Sequence, residues 1–135
     1  MAGYSGKPLV QKLGIKTEMK LLFVNPPWNY GQLLEGLPEH AIQVKDKTSK
    51  VDFIHLFVRK VSELAELLPQ LKKRLTPDGR IWISWYKKSS GIPTDVTEDL
   101  IRAAALPIGL VDVKVCAVDD QWSGLKLVIR KEHRK

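Results

Sequence analysis

Cysteine is nearly absent from these 135 residues: Cys116 stands alone. With no intramolecular disulfide to form, the chain is expected to work in a reducing compartment, the cytoplasm. Long apolar runs are missing too. None approaches the ~20 residues needed to span a bilayer, and Met1 to Lys20 lacks the apolar stretch of a secretory signal. No membrane partner is expected. Metal-ligand spacing is lacking: His40, His55 and His133 fall into no such pattern with one another or with Cys116, so no metal is expected. There is no internal repeat and no low-complexity linker. Above all, the nine glycines never occur as G-x-G.

What is present suits one domain over residues 1–135, with residues 1–18 as an N-terminal extension carrying a short helix. At this size folding buries roughly two-thirds of the unfolded surface, enough for a core without staples. The net charge is +7 and the pI about 9.6. The excess gathers in small runs: Lys45/Lys47/Lys50, Lys72/Lys73/Arg74, Lys87/Lys88 and Arg130/Lys131/Arg134/Lys135. Such a balance permits contact with polyanions, although a solvated basic surface explains it as well.

Met1–Gly6 reads as a loose start. Pro8–Leu13 reads as a short helix left at Gly14. Lys20–Asn25 is an apolar run expected as a buried strand, stopped by Pro26. Tyr30–Leu37 is expected as a short helix and Ala41–Lys45 as a short strand. Val51–Val58 is nearly continuous in apolar residues, as a strand covered on both faces would be. Val61, Leu64, Ala65, Leu68, Leu71 and Leu75 form one helical stripe capped by Ser62, with a kink or restart expected at Pro69. Thr76-Pro77-Asp78-Gly79 is turn chemistry, and Arg80–Trp85 is a strand. Asp95 and Glu98 resemble a capping box for a helix running to about Ala105. Val111–Cys116 and Leu125–Arg130 alternate as strands around a turn at Asp119–Gly124. The final strand, Leu125–Arg130, is expected to pair back antiparallel and to leave a flat edge, compatible with a monomer or a homodimer.

Strands alternating with helices imply right-handed crossovers and a three-layer α/β domain with a mostly parallel sheet and a C-terminal antiparallel hairpin. The stretch Leu67–Ser84 (LLPQLKKRLTPDGRIWIS) resembles the helix, turn and strand of class I S-adenosylmethionine methyltransferases, a Rossmann-like fold. Over Val51 to Lys131 the element order is similar to theirs. Ser5–Pro8, Lys12–Lys16, Gly91–Asp99 (GIPTDVTED) and Gly109–Leu125 (GLVDVKVCAVDDQWSGL) resemble a small bacterial family catalogued as domain of unknown function number three thousand and fifty-two. That resemblance implies the fold and carries no activity with it.

In a nucleotide-binding Rossmann unit the first strand runs into a glycine-rich turn whose N–H groups face the ligand. Here the turn is Asn25-Pro26-Pro27-Trp28-Asn29. Two prolines remove two donors and fix φ at both sites, so no conventional cofactor is expected on it. The same tetrapeptide resembles the catalytic motif of methyltransferases acting on nucleobase amines. By that resemblance Asn25 and the Pro26 carbonyl accept hydrogen bonds from the target amine, and Trp28 stacks on the base.

Ligands of open α/β sheets sit beyond the carboxyl ends of the strands. That edge collects Trp28, Arg59, Lys60, Trp85, Tyr86, Lys87, Lys88, Ser89, Asp119, Asp120 and Trp122. The candidate ligand residues are Trp28, Arg59, Trp85, Lys87, Ser89, Asp119 and Trp122, and Trp28, Lys87 and Trp122 are favoured. Aromatic faces beside cations suit a small planar anion. No catalytic residue is assigned: His55 reads as a satisfied core histidine and Cys116 as a packing residue. The function expected is a non-catalytic or degenerate methyltransferase-like domain that binds a small anionic ligand or a protein partner. The alternatives are an amino-group methyltransferase and a basic nucleic-acid-binding module.

Overall fold

The computed structural model describes residues 8–46 and 48–134. The expected loose start at Met1–Gly6, most of the Ser5–Pro8 motif, Lys47 and Lys135 lie outside the described residues. Six strands form one sheet in the order β2-β1-β3-β4-β6-β5. They are β1 (Lys20–Val24), β2 (Ile42–Gln43), β3 (Val51–Phe57), β4 (Leu75–Tyr86), β5 (Leu110–Ala117) and β6 (Trp122–Ile129). The first four pair in parallel, and β6 pairs antiparallel with both β4 and β5, so that β6 alone is reversed. Both faces carry helices. On one side lie α3 (Val61–Lys72) and α4 (Glu98–Ala105), packed on Ile54, Leu56, Ile81, Ile83, Leu125 and Leu127. On the other lie α1 (Leu9–Leu13) and α2 (Tyr30–Leu33), packed on Phe53, Phe57, Trp82 and Trp122. The alternation along each strand explains this division: neighbouring side chains point to opposite faces, and both faces are buried.

Several local expectations differ from the structure. The Thr76–Gly79 segment belongs to β4 rather than to a turn. Val51 pairs with Leu75 and Phe53 with Arg80, so two steps along β3 match five along β4, a three-residue bulge. Thr76 Oγ1 bonds Asp52 Oδ1 at 3.1 Å, holding the bulge to β3. Gly79 fits because a Cβ there would lie 2.6 Å from Leu75 Cδ1 and 3.0 Å from the Asp52 carbonyl oxygen. Pro69 does not restart α3, which continues through it. The residue whose carbonyl its ring deprives of a donor, Ala65, is on the exposed side of the helix, open to solvent. Ala65 accordingly leaves the expected stripe, and Leu64, Leu68 and Leu71 are the buried residues.

Ser62 does not cap α3. The Glu63 carboxylate accepts from the N–H groups of Arg59 and Lys60 at 2.9 and 3.1 Å, and Asp95 Oδ1 accepts from Val61 N–H at 2.8 Å. With Asp95 so engaged, Thr97 caps α4 in its place, its Oγ1 accepting from Leu100 N–H at 3.2 Å. The exposed edge is β5, not the last strand: β6 is sandwiched between β4 and β5. Arg102 of α4 fastens β5 from one side, its Nε donating to Asp112 Oδ2 at 2.9 Å. Among the described residues no helix is long and apolar enough to cross a membrane.

Candidate functional site

The strand order reverses at β1. From β1 the chain moves outward to β2, then returns across β1 to β3. In open α/β sheets such a switch point opens the crevice in which ligands bind. Its walls are the residue runs that follow β1 and β3, which places Asn25–Trp28 and Val58–Lys60 there.

Asn25 makes the bend. Its φ of +56° is left-handed, a conformation asparagine tolerates better than most side chains. Pro26 and Pro27 follow with no N–H to offer a ligand, and the Pro27 carbonyl accepts from Tyr30 N–H at 3.0 Å. The helix that starts there, α2, has only four residues, fewer than the eight expected for Tyr30–Leu37. Tyr30 turns back under the sheet and is buried. Its ring meets Phe23 and Phe57 edge-on at 4.9 and 5.1 Å. Trp28 goes the other way and is 91% exposed, at the rim of a groove lined by Phe23, Pro26, Pro27, Leu37 and Gln43.

Beneath this bend lies a polar group the sequence did not reveal. Tyr30 Oη is 2.5 Å from His55 Nδ1, and Ser84 Oγ is 2.6 Å from His55 Nε2. Both ring nitrogens of the core histidine are therefore paired, one hydroxyl donating and the other accepting around a neutral ring. Complete burial lowers the His55 pKa to about 3, and burial pushes the Tyr30 hydroxyl far above its ordinary range. His55 and Ser84 have no solvent exposure, whereas Tyr30, the outer member of this chain of hydroxyl, imidazole and hydroxyl, also lines the groove beside Trp28. The alternation in RIWISW puts Ser84 on the same face as Trp82. What sequence could not provide was the pairing of Phe57 with Ser84 that sets the hydroxyl beside His55.

A second region opens beyond β3 and β4. One groove, about 800 Å³, is lined by Arg59, Lys60, Glu63, Pro93, Thr94 and Asp95. Another is lined by Trp85, Tyr86, Lys88, Thr94, Val96, Thr97, Glu98 and Asp99. They meet at Thr94, whose Oγ1 donates to the Arg59 carbonyl at 2.7 Å. Together they make one trough between the start of α3 and the start of α4. The Arg59 guanidinium lies 5.7 Å from the centre of the Tyr86 ring, and that ring stacks on Trp122 at 3.9 Å. The acids of the trough are engaged: Glu63 and Asp95 hold the N–H groups at the head of α3, while Glu98 and Asp99 pair with Arg102. The cationic side chains along it are Arg59, Lys60 and Lys88.

The structure thus joins Arg59 and Trp85 along one trough. Trp28, with Asn25 and Pro26, stands apart on its own groove. Trp122 lines neither of these grooves: it is buried beneath Tyr86 and meets Phe57 edge-on at 4.9 Å. Lys87 and Ser89 leave β4 without entering the lining of the trough. Asp119 shapes its own turn, its Oδ1 accepting from the N–H groups of Gln121 and Trp122 at 2.8 and 2.9 Å. The Cys116 thiol has its pKa raised by burial, against a smaller opposing pull from Lys12, Lys114 and Lys87, which keeps it protonated at neutral pH. Among the described residues no three His, Cys, Asp or Glu side chains are grouped to hold a metal ion.

This architecture is that of the class I methyltransferases. An S-adenosylmethionine-dependent methyltransferase from Aquifex aeolicus superposes with a TM-score of 0.65, at 16% identity over 90% of this chain and 87% of that one. A putative type 11 methyltransferase from Sulfolobus solfataricus gives 0.62 at 16% identity, covering 94% and 95%. Fibrillarin from Aeropyrum pernix, solved with natively bound S-adenosyl-L-methionine, gives 0.61 at 12% identity over 94% and 71%. At these identities the likeness is one of fold. Within that fold the chain belongs to the family described as Protein of unknown function (DUF3052), whose profile matches residues 32–131. No curated protein matches the sequence.

Proposed function

We propose that this is a methyltransferase-like domain that does not seat S-adenosylmethionine in the usual way and acts as a binding module for a small planar anion. The observation that carries this reading is the bend after β1. Where the fold normally presents amide donors to a cofactor, Pro26 and Pro27 have none, and the rings of Tyr30 and Phe23 meet edge-on beneath them. Isothermal titration calorimetry of the full chain with S-adenosylmethionine is expected to show no heat of binding at micromolar concentrations. Tight one-to-one binding would overturn the reading.

The trough supports the anionic ligand. Its acids are tied into helix caps and ion pairs, while Arg59 lies over the Tyr86 ring and Lys88 lines the same groove as Trp85. Stacking plus charge favours a nucleotide-sized group. Adenosine monophosphate, titrated while the tryptophan indole resonances are followed by NMR, is expected to shift Trp85 and leave Trp28 in place. Arg59→Ala is expected to weaken the effect about tenfold, the loss of roughly 1.4 kcal/mol. A shift confined to Trp28 would move the site to the other groove.

One observation favours the amino-group methyltransferase as a second reading: Trp28 is 91% exposed beside Pro26 and Pro27, as a stacking residue should be. Against it, the tetrapeptide occupies the very bend on which such an enzyme would need to hold its methyl donor. Transfer of a labelled methyl group to nucleic acid, abolished by Asn25→Ala, would establish it.

A further inference from the structure

The runs of positive charge visible in the sequence are scattered, but the fold builds a denser one from residues far apart in the chain. On the α1 side of the sheet, Trp82 of β4 pairs with Lys126 of β6, and Lys126 pairs with Lys114 of β5. Arg80 lies two residues before Trp82 on the same face. Three cations therefore cross three neighbouring strands spaced ~4.8 Å apart. Lys114 directly opposite Lys126 is an unfavourable pair in an antiparallel ladder. Burial, and after it the positive charges of Arg80, Lys114 and Lys16, lower the Lys126 pKa. The acid of β5, Asp112, pairs with Leu127 on the opposite face and is held by Arg102. Arg80 donates Nη1 to the Gly14 carbonyl at 3.2 Å, while its Nε is buried with no partner among the described residues.

We propose that this face, Arg80, Lys126 and Lys114 bordered by Lys16, binds the phosphodiester backbone of a nucleic acid. A row of cations without carboxylates matches a regularly spaced polyanion. It does not suit a lipid surface, which would need large apolar side chains among the cations. Of the exposed large apolar side chains, Val115 pairs with Leu125 and so lies on the other face, Trp28, Leu37 and Ile42 belong to the β1–β2 end, Leu100 and Leu106 to α4 and its exit, and Val113, in the irregularity of β5 beside Lys114, stands singly. This inference is independent of the trough.

Fluorescence anisotropy of the full chain with a labelled mixed-sequence single-stranded RNA, and with a DNA duplex of the same sequence, tests it. Binding to the single strand is expected at low salt, with a log–log salt slope of about −3 for four engaged cations. Stronger binding to one probe identifies the kind of backbone preferred. Lys114→Gln with Lys126→Gln should weaken binding at least tenfold and flatten the slope by about 1.4. That variant should melt no lower than the parent, because it removes a repulsive pair; if it does melt lower, Lys114→Gln alone, at an exposed site, carries the test. Lys72→Gln with Lys73→Gln removes equal charge from α3 and its exit and should leave binding nearly unchanged. No binding at low salt, or equal loss in both double variants, would overturn the proposal. So would displacement by polyglutamate as efficient, charge for charge, as by unlabelled RNA, since that would mark a surface for acidic proteins.

Discussion

Trp82→Ala is expected to cost about 3–5 kcal/mol of folding free energy, read as a fall in the urea midpoint at unchanged slope. Trp82 is the largest fully buried side chain. It lies on the middle of β4 with its Nε1 donating to the Leu13 carbonyl at 2.9 Å. It fits against β6 because Gly124 has no side chain: a Cβ there would be 3.2 Å from the indole. Truncation removes both the packing and the bond that holds the end of α1. A helix of five residues has no stability of its own, so α1 should undock. Trp82→Phe keeps much of the buried area and loses the hydrogen bond, and should cost less. If Trp82→Ala lost under ~1 kcal/mol, the docking of α1 on this face would be wrong.

Acid is expected to destabilise the protein through His55. The unfolded chain takes up a proton on this ring near pH 6.5, whereas the folded state resists until about pH 3. Between those values the unfolded state binds more protons, so stability rises with pH and falls on acidification. The slope from this one group approaches about 1.4 kcal/mol per pH unit in the middle of the window, and the contribution is fully present above pH ~6.5. Chemical denaturation between pH 4 and 7.5 measures it. His55→Leu should be less stable at neutral pH, since it leaves the Tyr30 and Ser84 hydroxyls without partners, but its stability should depend less on pH. An equal slope in both proteins would show that the folded His55 takes up protons as readily as the unfolded chain.

Much of the sheet was legible because apolar content alone marks buried parallel strands. Val51–Phe57 and Lys20–Val24 stand out, and Gly14, at φ +76°, ends α1 where the sequence puts the exit. Local signals failed where a distant residue competed for the same group. Thr76–Gly79 has turn composition, yet Asp52 and the space beside Gly79 turn it into a bulge. Asp95 looks like the cap of the nearer helix, yet it serves Val61, 34 residues back in the chain. The edge was misplaced because alternation in Val111–Cys116 and in Leu125–Arg130 looks alike, and only the pairing order tells an outer strand from an inner one. At the site, the carboxyl edge was readable from the strand assignments. Which of its aromatics face water was not: Trp28 and Trp122 have similar polar surroundings in sequence and opposite exposures in the fold.

The Asp95 carboxylate has a mechanical meaning. It belongs to the run leading into α4 but is anchored at the first amide of α3, so the two helices share a hinge pin through the floor of the trough. Widening that trough by a fraction of an ångström pulls on the contact, and loosening the contact frees both walls together. Any occupant of the trough is thus coupled to the packing of the helical layer through this bond and through the neighbouring one from Thr94 to the Arg59 carbonyl.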